Sequence, residues 1–217
     1  MNCDSLIFDL DGTLWDASEA VSQSWAHTLR NTYQVKNPPS IAEIQSIMGL
    51  SAREIADRLF SRYGEDPDEI AQYCMRQECD YLAVHGGRLY AGVEPTLRDL
   101  AQHYHLSIVS NCQQGYIESF LHFYHLEPLF TDFDCEGNTG LSKSENIRRL
   151  IRRNALTHPV YIGDTQMDFQ AATQLAPHSS GLPMASGMSP KRLCGLTGSP
   201  TCLLFCPPWS DDQPPRY

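Results

Sequence analysis

Two aspartates one residue apart, Asp9 and Asp11, come after the apolar run Leu6-Ile7-Phe8 and precede Gly12 and Thr13. A buried strand ending in two carboxylates presents them at a sheet edge, where open α/β sheets bind ligands. One carboxylate of such a pair can face a metal while the other faces a substrate. Gly12 lets the backbone turn sharply and approach an anion. A bare Asp-x-Asp-Gly also describes a solvated turn or a calcium loop, so the motif gains meaning only with partners elsewhere in the chain.

Three further stations stand in order along the chain. Ser110-Asn111 ends the apolar segment Leu106–Ser110, and a hydroxyl with backbone N–H groups there can hold a phosphoryl oxygen. Lys143 comes after the turn Gly137-Asn138-Thr139-Gly140 and can neutralise a phosphate and a nucleophilic carboxylate. Asp164 and Asp168 come after the segment Val160–Gly163 within Gly163-Asp164-Thr165-Gln166-Met167-Asp168. Hard oxygen ligands of this kind suit Mg²⁺. Singly, these are an ordinary strand-to-turn step, a surface lysine and solvated acids. Their shared position at strand ends is the signal.

The elements that must position them divide into two patterns. Ser5–Leu10 reads as a short buried strand. From Asp16 to about Val84 the pattern is helical. Ala17–Tyr33 carries Ala20, Val21, Trp25 and Leu29 at three- and four-residue spacings. Ile41–Met48 starts after Ser40, an N-cap residue type. Ser51–Tyr63 carries Ile55, Ala56, Leu59 and Phe60 on one face, and Asp66–Val84 opens with Asp66-Pro67, a cap and a first-turn proline. Strands and helices then alternate: Pro95–His103 helical, Leu106–Ser110 extended, Tyr116–Phe123 helical, Phe130–Asp134 extended, Ser144–Asn154 helical, Val160–Gly163 extended and Met167–Gln174 helical. Alternation of this kind favours a parallel sheet covered by helices on both faces. The expected fold is α/β, a Rossmann-like parallel sheet core with an inserted α-helical cap. Residues 1–16 and 86–176 form the discontinuous core and 17–85 the cap.

The four ordered stations strongly resemble those of the haloacid dehalogenase-like hydrolase superfamily, in the branch that includes phosphoglycolate phosphatase. They are Asp-x-Asp-Gly-Thr at Asp9–Thr13, Ser110, Lys143, and Gly-Asp-x-x-x-Asp at Gly163–Asp168. The resemblance covers about residues 4–176 and implies Mg²⁺-dependent hydrolysis of a small phosphomonoester. Asp9 would be the nucleophile, forming an aspartyl-phosphate, and Asp11 the acid that protonates the leaving oxygen and then activates water. Mg²⁺ would be held by Asp9, the backbone carbonyl of Asp11, and Asp164. Gly12, Thr13, Ser110, Asn111 and Lys143 would bind the phosphoryl group. Asp168 would orient a metal-bound water or Lys143. The acid at Asp11 favours phosphate chemistry over dehalogenation. A phosphosugar mutase uses the same two acids, and a catalytically silent binding or scaffold protein is the alternative from another class. Met48-Gly49-Leu50-Ser51 joins two cap helices and reads as a specificity loop facing the core; Arg53 and Arg58 could reach a substrate anion from there, but the solvated reading is preferred for both.

Composition bounds the partners. The chain has 217 residues, with 41% apolar and 19% charged, which suits a globular protein rather than a disordered one. Its net charge of −10 argues against broad binding to nucleic-acid backbones. No stretch resembles a signal peptide or membrane span, so a cytoplasmic enzyme is expected, monomeric or homodimeric, acting on a small phosphorylated metabolite. The eight cysteines show no CxxC spacing and read as free thiols. The basic run Arg148-Arg149-x-x-Arg152-Arg153 reads as the solvated face of a helix. His103, His105, His122 and His125 lack metal spacing, and Tyr116, Phe120, Phe123 and Tyr124 read as core.

The last 41 residues differ in kind. They hold eight of the 14 prolines and no amphipathic period. A divergent tail, a flexible extension and a frameshifted translation compete as explanations of residues 177–217. The third has a specific motive. Codons permitted for His178–Ser189, shifted by two nucleotides, can encode Phe-Ile-Trp-Ala-Ala-Tyr-Gly-Phe-Gly-Asp-Val, an apolar strand and glycine loop like those of the family. On this reading the sheet lacks the strand that borders Val160–Gly163.

Overall fold

The computed structural model describes residues 3–64, 66–173 and 184–185. The expectations for the Pro-rich tail, including Cys194, Cys202, Cys206 and the frameshift, fall outside these residues, apart from one short strand.

The chain begins with β1 (Ser5–Phe8), all four residues buried. After the carboxylate loop come β2 (Trp15–Asp16), α1 (Ser18–Thr32), α2 (Ile41–Ile47), α3 (Ala52–Ile55), α4 (Pro67–His85) and β3 (Arg88–Leu89). The strands β2 and β3 pair antiparallel, so the whole run α1–α4 leaves and returns through one two-stranded neck. The second part holds α5 (Val93–Leu100), β4 (His105–Ser110), α6 (Tyr116–Tyr124), β5 (Phe130–Cys135), α7 (Glu136–Thr139), α8 (Lys143–Arg153), β6 (Pro159–Ile162) and α9 (Gln166–Thr173). The strand β7 (Met184–Ala185) closes the series.

The sheet is parallel in the order β5-β4-β1-β6-β7. The fold is therefore α/β, as the alternation predicts. Register places Phe8 beside both Ile108 and Ile162, so β1, β4 and β6 release their chains at one edge. Side chains alternate across the sheet. Ile7, Val109 and Tyr161 pack with Ile147, Leu150, Ala171 and Ala172 on one face. Leu6, Phe8 and Ile108 join the larger core on the other.

Several helices start where sequence chemistry directs. Ser40 and Glu43, Ser51 and Glu54, and Ser142 and Glu145 each form a reciprocal capping box. Asp66 caps α4, with Pro67 in its first turn. The neck strands are absent from the sequence expectation, because two residues carry no period.

Three expectations are corrected. The helix expected over Ser51–Tyr63 is α-helical only through Ile55; it widens over Ala56–Phe60 and tightens over Ser61–Tyr63. The glycine-rich turn at 137–140 is a single helical turn closed by Gly140 at φ +67°. The sheet does not end at β6, because Met184–Ala185 pair with Tyr161–Ile162. Pairing at this position covers backbone groups that an edge would leave open.

Candidate active site

The chain turns out of β1 directly into Asp9, whose N–H donates to the Ile162 carbonyl at 2.8 Å. Asp9 is only 1% exposed. Its Oδ1 lies 3.0 Å from Lys143 Nζ and is otherwise a buried oxygen without a directed hydrogen bond. Burial pushes the Asp9 carboxyl above its usual range, and the Asp168 charge adds to this against the pull of Lys143.

Lys143 is not a surface lysine. Ser142 caps α8, which puts Lys143 in the first turn and turns its side chain into the interior, at 6% exposure. Its ammonium donates to Asp168 Oδ1 at 2.7 Å. Burial opposes the Lys143 charge, yet Asp9 and Asp168 hold its pKa above the ordinary value.

Asp168 is fully engaged. Its Oδ1 also accepts from the Tyr161 hydroxyl at 3.1 Å, and its Oδ2 accepts from the Thr165 N–H at 2.9 Å and hydroxyl at 2.5 Å. Burial works against the ionised carboxylate, but Lys143 and Thr165 keep its pKa low. The packing leaves no room for a side chain at residue 163, because a Cβ there would lie 2.6 Å from Asp168 Cγ.

Asp164 stands on the other side of the β1 loop. Thr13 Oγ1 donates to its Oδ1 at 3.1 Å. Gly12 takes φ +78°, and a Cβ there would lie 2.2 Å from Asp164 Oδ2. Burial, then Asp9 and Asp168, raise the Asp164 pKa to about 7. Carboxylate oxygens of Asp9, Asp164 and Asp168 lie within 4.8 Å of one another. A divalent cation fits the chemistry of this set, given its hard carboxylate oxygens and the mutual repulsion of crowded, buried acids.

Asp11 points elsewhere. Its Oδ1 accepts from the Tyr116 hydroxyl at 2.8 Å. Burial raises its pKa to about 7, opposed by Tyr116 and assisted by the charges of Asp9 and Asp164. Asp11, Ser110 and Asn111 line one cavity with Gly49 from the loop between α2 and α3. The Asn111 side-chain amide donates to the Gly49 carbonyl at 2.9 Å. The loop at Met48–Ser51 thus meets the core where the sequence places it. Arg53 and Arg58 are exposed.

All the sequence-derived site residues gather at this edge. Asp11 alone directs its carboxylate away from the three-acid cluster. The site roles of two residues escape the sequence reading. Tyr116 is buried in the core as expected, and in addition spends its hydroxyl on Asp11. Glu78 of α4 is 3% exposed, lines the same cavity, and accepts from Trp25 Nε1 at 2.5 Å and Gln113 Nε2 at 3.1 Å. The signal for Glu78 is an acid in the i, i+4 row Cys74, Glu78, Leu82, on the apolar face of its helix.

The family model for haloacid dehalogenase-like hydrolases matches residues 6–178. The chain belongs to the haloacid dehalogenase-like hydrolases. A phosphoglycolate phosphatase of Rhodobacter capsulatus is 30% identical over 195 residues, covering 82% of this chain and 81% of its own. Among solved structures, a predicted phosphoglycolate phosphatase from Haemophilus somnus superposes with a TM-score of 0.65 at 22% identity, over 81% of this chain and 83% of its own. A family hydrolase from Bacillus subtilis, solved bound to magnesium, gives a TM-score of 0.63 at 18% identity, over 85% of this chain and 88% of its own. This hydrolase is an enzyme of the phosphatase type.

Other expectations resolve simply. Among the described residues, Cys3, Cys74, Cys79, Cys112 and Cys135 are free thiols. Of the basic run on α8, Arg149 and Arg153 pair with Asp134, and Arg153 also with Asp132, on β5. The four histidines singled out are exposed. Among the described residues, no helix is long and apolar enough to cross a membrane.

Proposed function

We propose that this hydrolase cleaves a small phosphomonoester with Mg²⁺, through a phosphorylated Asp9. The observation that carries the proposal is the buried pairing of Asp9 with Lys143, itself held by Asp168, at the sheet edge where Asp164 also stands. Asp9, Asp164 and the backbone carbonyl of Asp11 would hold the cation. When bound, it offsets the repulsion between the Asp9 carboxylate and a phosphate dianion.

The chain's own groups supply the rest. The Asp9 carboxylate attacks phosphorus, forming an O–P bond as the bond to the leaving oxygen breaks. Asp11, with a pKa near neutrality, gives that oxygen its proton. Water then attacks phosphorus, the Asp9–phosphorus bond breaks, and Asp11 takes the water proton. Lys143, the Ser110 hydroxyl and the Asn111 backbone N–H balance charge on the transferred oxygens, while the Gly12 and Thr13 N–H groups expected to join them donate to the Trp15 and Leu10 carbonyls. Lys143 is preorganised for this by Asp168, Tyr161 and Thr165.

The run 17–85 serves as a cap, joined to the core by the β2–β3 neck and by the Asn111–Gly49 bond. Its closure over Asp11 would exclude water and select the leaving group. The test is phosphate release from a panel of phosphorylated metabolites, with and without Mg²⁺, for the native chain and for Asp9→Asn. The reading requires release that depends on both. Isomerised phosphosugar without net release would replace it with a mutase.

A further inference from the structure

The cap end of the active-site cavity carries chemistry that the catalytic residues do not use. Trp25, Ile47, Leu50, Ile55 and Met75 give it apolar walls. At the polar end, Glu78 lies between Trp25 and Gln113, one donor on each carboxyl oxygen. Among the described lining residues there is no lysine, arginine or histidine. Lys143, the cation of the site, is committed to Asp9 and Asp168. The cap arginines Arg53 and Arg58 are exposed and do not line the cavity.

A substrate carboxylate in this cavity could take a hydrogen bond from a neutral Glu78, but its full negative charge would be buried beside a second acid, Asp11, with no described cation to balance it. Burying an unpaired charge is far more costly than burying a hydroxyl that finds a partner. A hydroxyl at the same place can donate to a Glu78 oxygen and accept from its proton. We propose that this cavity selects phosphomonoesters with an uncharged, hydroxyl-bearing leaving group that Glu78 binds, and rejects carboxylate-bearing ones such as phosphoglycolate. The proposal rests on the phosphatase reading and sharpens it, since it separates this chain from the substrate named for its Rhodobacter relative. Burial raises the Glu78 carboxyl to about 8, against the pull of Gln113 and Trp25, which keeps it mostly protonated at neutral pH.

The experiment uses the full chain with Mg²⁺ and three ligands of matched size: 2-hydroxyethyl phosphate, propyl phosphate and 2-phosphoglycolate. A second triplet one carbon longer covers the reach of the cavity. Each ligand is measured as a substrate and as a competitor of p-nitrophenyl phosphate, so a ratio is obtained whether or not it turns over. The hydroxyl ligand is expected to exceed phosphoglycolate by about 100-fold or more. Glu78→Met should erase the preference for hydroxyl over propyl, about tenfold, while Glu78→Gln, which keeps a polar partner, retains it. Leu50→Arg adds a cation from a half-buried position and should narrow the gap to phosphoglycolate about tenfold. It gives a second reading if Glu78→Met does not fold.

Phosphoglycolate equal to or better than its hydroxyl counterpart in the native chain overturns the proposal. So does a hydroxyl-to-propyl ratio unmoved by Glu78→Met. Hydrolysis of p-nitrophenyl phosphate that is absent, or unchanged in Asp9→Asn, overturns the phosphatase reading instead.

Discussion

Tyr116 donates its hydroxyl proton to Asp11 across 2.8 Å. The bond joins α6 to the loop after β1 and holds the Asp11 carboxylate out of the three-acid cluster. The Tyr116 ring is fixed in turn by Trp15, edge-on at a centroid distance of 5.6 Å. Tyr116→Phe keeps that packing and removes one donor. The Asp11 pKa should rise, since Tyr116 holds it down. Turnover of an alkyl phosphate, whose leaving oxygen needs a proton, should fall about tenfold for the ~1.4 kcal/mol a lost hydrogen bond represents. p-Nitrophenyl phosphate, with its stable phenolate, should lose less. Equal losses on both substrates would refute the positioning role.

Gly12→Ala tests the metal side. The residue sits at φ +78°, and a Cβ would lie 2.2 Å from Asp164 Oδ2. Asp164 must move, breaking its bond with Thr13. The strained backbone should cost about 1–3 kcal/mol of stability. The Mg²⁺ concentration for half-maximal activity should rise about tenfold or more, read from a metal titration of phosphate release. An unchanged Mg²⁺ requirement would place the cation away from Asp164.

Lys143→Met removes the cation shared by two buried acids. Breaking a buried pair from one side costs about 3–5 kcal/mol, because the partner's charge is left uncompensated. Without Lys143, both Asp9 and Asp168 favour protonation more strongly when folded than when unfolded. The variant's stability deficit should therefore grow as pH rises and shrink toward acid. Thermal melts at pH 5 and pH 8, with and without Mg²⁺, check this. A deficit independent of pH would mean that the loss is packing rather than charge.

The strand-end acids, the serine, the lysine and the α/β alternation are all legible in the sequence, because each is local or periodic. Asp9, Asp164 and Lys143 are short-range features, a residue type beside a strand end or a cap. What stays hidden depends on distance across the fold. The β2–β3 neck joins residues 15–16 to 88–89 and has no period to detect. Tyr116 reads as an aromatic at helical spacing, and only the sheet edge reveals that its hydroxyl meets Asp11. Asp168 reads as one more acid, and its three partners come from β6, α8 and its own turn. Glu78 stands visibly out of pattern, but its partners Trp25 and Gln113 lie 53 and 35 residues away.

Glu78 also makes a prediction that needs no substrate. Its carboxyl titrates at about 8 when folded and ordinarily at 4.5, chiefly because burial disfavours the charge. Between those values the folded chain keeps a proton that the unfolded chain has released. Stability must then fall as pH rises through that window and level off above it. The slope is up to about 1.4 kcal/mol per pH unit for one group. Asp11 and Asp164 shift in the same direction, so the native curve alone does not isolate Glu78. Glu78→Gln does, because an amide of the same shape keeps an acceptor for Trp25 and does not titrate. The variant's melting temperature should gain on the native one steadily from about pH 5 to pH 8, then run parallel to it. Curves parallel throughout would show that Glu78 is ionised in the folded chain.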